Sequence, residues 1–151
     1  VMGRTGDDTI AAGSGDDMLG GGGGDDIIDA GDGDNTLVGA EGDDTLLSGS
    51  GSDVVDGGSR DDVVQAGDGE DLVFGGSGDD RLAGEAGNDT IYGGSGDDTL
   101  LGGADDDYLS GSSGKDFLSG DGGNDTLSGD SGADVFFFDS NFGNDVIKDM
   151  S

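Results

Sequence analysis

Cysteine, histidine and proline are absent from this chain, and lysine and arginine together number 5 among 151 residues. Without cysteine there is no disulfide framework, so a fold standing outside the cell needs another staple. Without histidine or cysteine, the Ser-His-Asp and Cys-His nucleophile arrangements and the usual zinc-hydrolase ligands are excluded. Arg4, Arg60, Arg81, Lys115 and Lys148 are scattered and form no stripe able to neutralise phosphates, which argues against nucleic acid as a partner. No run of 18 or more apolar residues occurs, so no transmembrane segment is expected, and no charged start with an apolar stretch behind it marks an N-terminal signal peptide. Val1 stands where an initiator methionine would, which reads as a module of something longer.

What the chain does have is acid and glycine: 36 carboxylates, a net charge of -31, 37 glycines and only 30% apolar residues. That balance alone would suit a self-repelling, disordered polymer. A strict period argues against disorder. The unit Gly-Gly-Ser-Gly-Asp-Asp-Thr-Leu-Leu at Gly93 to Leu101 repeats, counted in nines from Gly3, fifteen times without insertion or deletion and ends at Phe137. Its sixth position holds Asp8, Asp17, Asp26, Asn35, Asp44, Asp53, Asp62, Asp71, Asp80, Asp89, Asp98, Asp107, Asp116, Asp125 and Asp134, with Asn35 alone departing from Asp. Its eighth position is a branched aliphatic residue or Phe in every copy, from Ile10 and Leu19 to Leu127 and Phe136. One selection keeps a carboxylate, the other a core side chain.

Within each unit the first six residues are glycine-rich and read as a turn, and the last three, such as Thr90-Ile91-Tyr92, read as a very short strand. Such strands hold only by stacking, so a chain turning every nine residues closes one coil in eighteen and builds a two-sheeted parallel solenoid. Unit n then lies on unit n+2, and the sixth-position residues form two columns. Columns of acids repel unless a cation lies between them. Calcium suits such a place, because it takes six to eight oxygen ligands in irregular geometry, whereas magnesium demands a regular octahedron and zinc prefers His or Cys. The fifteen sixth-position residues are therefore the candidate metal ligands, and the gaps between them suggest about thirteen ions, which would bring the charge from -31 to about -5.

The pattern Gly-Gly-x-Gly-x-Asp-x-(aliphatic)-x from Gly3 to Phe137 resembles the calcium-binding nonapeptide of RTX (repeats-in-toxin) proteins. The resemblance implies an all-β, right-handed parallel β-roll, that is, a two-sheet β-solenoid with 18 residues per coil and a C-terminal capping strand. It also implies sharing of Ca²⁺ between sixth-position Asp residues and loop carbonyls, in bacterial proteins exported by type I secretion and folding on calcium outside the cell. The expected organisation is a roll over residues 1–137 and a capping segment over 138–151, continuing into a secretion-signal region beyond this chain. Gly143-Asn144-Asp145-Val146-Ile147 restores part of the motif two residues late, and whether Asp145 adds another site is open.

Departures from the pattern carry expectations too. Asn35 loses a charge and should weaken the gaps it borders, and Arg60 and Asp105 replace fourth-position glycines. The fifth-position acids, such as Asp7, Asp25 and Asp61, read as a solvated outer face and not as catalytic pairs, since adjacent acids repeated everywhere define no cleft. The function expected is a structural, non-enzymatic calcium module, secreted or on a bacterial cell surface. The alternative is calcium-dependent binding of anionic polysaccharide, or surface-layer or adhesin contacts through an outward stripe of Val38, Val54, Leu72, Phe74, Tyr92 and Tyr108.

Overall fold

The computed structural model describes residues 1–140 and 142–149, all of them in strands, turns or extended connections, with no helix. The two-sheet parallel solenoid expected from the period is present. Strands starting at Thr9, Ile27, Thr45, Val63, Arg81, Thr99, Phe117 and Val135 pair in that order in one sheet, and those starting at Met18, Thr36, Val54, Leu72, Thr90, Tyr108, Thr126 and Val146 in the other. Every pairing within the roll is parallel and offset by one coil, as in Val55 with Val73 and Ile91 with Leu109.

The strands are longer than the three residues read from the sequence. Thr45–Ser50, Val63–Asp68 and Thr99–Ala104 each span six residues, from the seventh position of one unit to the third of the next. Only positions four to six turn. Glycine normally weakens a strand. Here it does not, because each second-position glycine stacks in register on its counterpart a coil away, as Gly58 does on Gly76, and the neighbouring coils supply the ladder hydrogen bonds. The positive φ at those glycines, 113° and 108°, bends the strand without breaking it.

Alternation then decides what fills the interior. The eighth position points inward, and Leu37, Leu46, Val73, Leu82, Ile91 and Leu100 are fully buried. The first position of the next unit, two residues later, also points inward, so Ala30 and Ala66 join the same core. Each buried aliphatic side chain contributes about 1.5–3 kcal/mol. The ends are less covered: Ile10 is nearly buried and Phe136 packs partly against the last coil.

At the C-terminus, Val146–Asp149 pairs with Thr126–Ser128, joining Thr126 to Val146 and Leu127 to Ile147. The offset there is twenty residues in place of eighteen, so the loop before it absorbs the two-residue slip seen in the sequence. Of the capping segment expected over 138–151, residues 141, 150 and 151 lie outside the described residues.

Candidate metal centre

The three-residue turns are tight because the fourth position adopts positive φ. Glycine takes it freely, as Gly78 and Gly96 do at 135°. Arg60 (φ 81°) and Asp105 (φ 79°), which replace that glycine, take the same left-handed course as L-residues.

Such a turn drives the sixth side chain inward at the edge of the roll. Two columns result, as the repeat predicts. Asp8, Asp26, Asp44, Asp62, Asp80, Asp98, Asp116 and Asp134 form the first edge, and Asp17, Asn35, Asp53, Asp71, Asp89, Asp107 and Asp125 form the second. All are buried except Asp8, Asp17 and Asp134, which are half-buried at the ends. From Asp26 onward, Oδ1 of each accepts the backbone N–H of the sixth residue one coil earlier. Asp44 N–H donates to Asp62 Oδ1 at 2.8 Å and Asp62 N–H to Asp80 Oδ1 at 2.8 Å. On the second edge Asp71 N–H donates to Asp89 Oδ1 at 2.9 Å and Asp89 N–H to Asp107 Oδ1 at 2.8 Å.

The second oxygen of the same carboxylates has no such partner. Oδ2 is buried without a hydrogen bond in every sixth-position Asp from Asp26 to Asp125. It faces further oxygen. A Cβ built on first-position Gly57 would lie 2.5 Å from Asp62 Oδ2 and 2.7 Å from the Gly75 carbonyl oxygen one coil on. Between those oxygens lies a cradle, with distances close to the 2.3–2.6 Å at which Ca²⁺ holds oxygen. No three acidic side chains converge on one point among the described residues, so a cation here relies on backbone carbonyls for much of its shell. That donor set of hard oxygens fits calcium and offers nothing to a thiophilic metal.

Electrostatics agrees with the geometry. Loss of water on burial is the main cause that pushes the Asp62, Asp89 and Asp98 carboxyls up to about 7 and Asp107 to about 8, and neighbouring acids add to it. The backbone N–H bonds act in the opposite direction and do not win.

Asn35 shows what a hydrogen donor does in the same place. Its Oδ1 accepts the Asp17 N–H at 2.9 Å, as an Asp would. Its Nδ2 donates to Gly33 O at 2.7 Å and to Ser48 O at 3.4 Å.

Sequence reasoning left Asp145 open, and the structure puts it in the second column. Asp125 N–H donates to Asp145 Oδ1 at 3.0 Å, and Asp145 Oδ2 is buried without a partner. It also missed a role for the fifth-position acids. They are exposed as expected, but Asp25 Oδ1 accepts the Asp43 N–H at 3.0 Å and Asp79 Oδ1 the Asp97 N–H at 2.8 Å, so they tie each turn to the following coil.

The fold and its columns of orphaned, inward carboxylate oxygens define a calcium-binding β-solenoid. Comparison with known families narrows this further. The family described as RTX calcium-binding nonapeptide repeat (4 copies) matches residues 1–28, 20–55, 47–82, 56–91, 74–109, 101–136 and 110–147, and the chain belongs to it. No curated protein matched the chain.

Proposed function

We propose that this chain is a calcium-triggered folding and stabilising module of a protein exported by a bacterial type I system, folding once it meets calcium outside the cell. The observation that carries the reading is the column of buried, unpartnered Oδ2 atoms, those of Asp44, Asp62, Asp80, Asp89, Asp98 and Asp107 facing a carbonyl of the next coil. Sixth-position acids and those carbonyls hold the ions, one per gap, which gives about thirteen if every gap fills. Bound calcium supplies positive charge shared by oxygens of successive coils. The chain's own part is to fix each acid through its Oδ1 bond, exclude water around Oδ2 and aim the facing carbonyl. With a net charge of -31, the metal-free chain is self-repelling, so binding and folding become one event. We assign residues 1–137 to the roll and 138–151 to its cap. The module is structural, and any catalysis belongs to other parts of the parent protein.

The test is calcium titration of the metal-stripped chain followed by far-UV circular dichroism, with magnesium as control. A cooperative coil-to-β transition at micromolar to millimolar calcium, not reproduced by magnesium, is expected. A chain fully β-structured in excess EDTA would overturn calcium as the trigger.

One observation favours a second reading, a calcium-dependent binding module for polysaccharide or surface-layer contacts. On the outer face, Phe74 and Tyr92 stack at 5.4 Å and Tyr92 meets Tyr108 at 5.9 Å, making a row of rings along the rod. A glycan array with and without EDTA tests it, and the absence of calcium-dependent hits sinks the polysaccharide version.

A further inference from the structure

The two edges are built differently at the first position of the unit. On the first edge every first position, from Gly3 to Gly129, is glycine. On the second edge the first four are Ala12, Ala30, Ser48 and Ala66, and glycine returns only from Gly84 onward. The Cβ at this position projects into the cradle between Oδ2 and the facing carbonyl, as the Gly57 geometry shows. Where a side chain is present, it narrows the cradle.

Two consecutive cradles go further and hold a hydrogen donor. Beside Asn35, the methyl of Ala30 is fully buried, and Asn35 Nδ2 donates to Gly33 O and Ser48 O. Ser48 O is the counterpart of the Gly75 carbonyl that faces Asp62. One coil on, Ser48 is itself fully buried and its Oγ donates to Ala66 O at 2.8 Å, again the facing carbonyl. Asp53 Oδ1 accepts the Asn35 backbone N–H at 2.6 Å, and its buried Oδ2 faces a carbonyl that the Ser48 hydroxyl has already engaged.

We propose that the cradles beside Asn35 and Asp53 take no calcium, their place being filled by the Asn35 amide and the Ser48 hydroxyl. The proposal rests on the calcium reading of the other gaps. It gives the folded roll a seam, from Ala30 to Ala66, held by neutral hydrogen bonds in place of metal. An N–H or O–H aimed at the facing carbonyl puts a hydrogen where the cation would sit and leaves that oxygen one lone pair fewer, and an amide nitrogen is no ligand for a hard cation.

The test has two arms. In crystals of the calcium-loaded wild-type chain, an anomalous difference map should show peaks in the gaps of the first edge and none in these two cradles. In native mass spectrometry, Ala30→Gly/Asn35→Asp/Ser48→Gly should hold about two more calcium ions than the wild type. Peaks in both cradles of the wild type, or an unchanged count in a variant that folds with calcium, would overturn the proposal and leave the calcium reading intact. Absence of calcium from every gap would instead sink that reading and this proposal with it. If the triple variant does not fold, the wild-type map decides alone.

Discussion

A carboxylate taken out of water must be paired, protonated or metal-bound, and the sixth-position acids make that choice visible through pH. In the interior of the columns burial pushes Asp71 from the ordinary 3.8 up to about 6, Asp98 to about 7 and Asp107 to about 8. A raised carboxyl pKa means that the fold binds more protons than the unfolded chain, so its contribution to stability is largest in acid and is lost as pH rises from about 4 through about 8. In EDTA, the β signal in circular dichroism should therefore be stronger near pH 4.5 than at pH 8. With calcium the order reverses, since the ligand is the carboxylate and affinity falls as pH drops through the same window. Asp98→Asn tests the site one residue at a time. It keeps the Oδ1 that accepts the Asp80 N–H, but replaces the orphaned oxygen with an amide, as at Asn35. The expected result is a loss of about one bound ion by native mass spectrometry with the calcium-loaded fold retained. That the sixth-position residues line up in two columns was legible in the sequence, because a column needs the same residue type at every turn. That one carboxylate oxygen is taken by the preceding turn and only the other is free was not, since the same letters serve both.

Strand length is where sequence reasoning fell short. Six of the nine positions read as turn because glycine is rich there, yet Leu72–Ser77 and Thr90–Ser95 run through their glycines as strands. Propensity judged one coil at a time cannot see the stacking that overrides it. The same stacking divides the strand faces sharply, so Leu82→Ala, deep in the core, should lower the stability of the calcium-loaded chain by about 2–5 kcal/mol. Ile27→Ala, at a side chain that is 48% exposed, should change it by under about 1 kcal/mol. Denaturant melts at saturating calcium measure both. Position nine carries outward residues such as Val38 and Phe74 of the expected stripe, but Ser110, Ser119 and Ser128 at the same position are buried near the C-terminal end. There Ser119 Oγ donates to Asp121 Oδ1 at 2.6 Å, and Ser110 and Ser128 bond to Asp130. Those acids stand at second positions usually kept by glycine and draw the hydroxyls over, a pairing that no single repeat announces.

For the molecule as a whole, the ends matter most, because a stack has neighbours everywhere except there. The C-terminal strand covers Thr126–Ser128, Asp145 supplies an acceptor to Asp125, and Lys148 lies over the Tyr108 ring at 5.4 Å. A chain ending at residue 137 loses all three. It should need more calcium to reach half-folding in a circular dichroism titration, and its exposed strand should promote self-association in size-exclusion chromatography. The two edges, finally, are not copies of each other: one is glycine throughout at the first position, the other begins with Ala12, Ala30, Ser48 and Ala66, and the ring row of Phe74, Tyr92 and Tyr108 lies on one sheet alone. Duplicating a single nonapeptide in the middle would keep every aliphatic residue inside, yet it would carry everything downstream across to the opposite edge and cut the ring row in two. Inserting eighteen residues would disturb neither. The heritable increment of this rod is the full coil, and lineages that lengthen or shorten it should do so in even numbers of repeats.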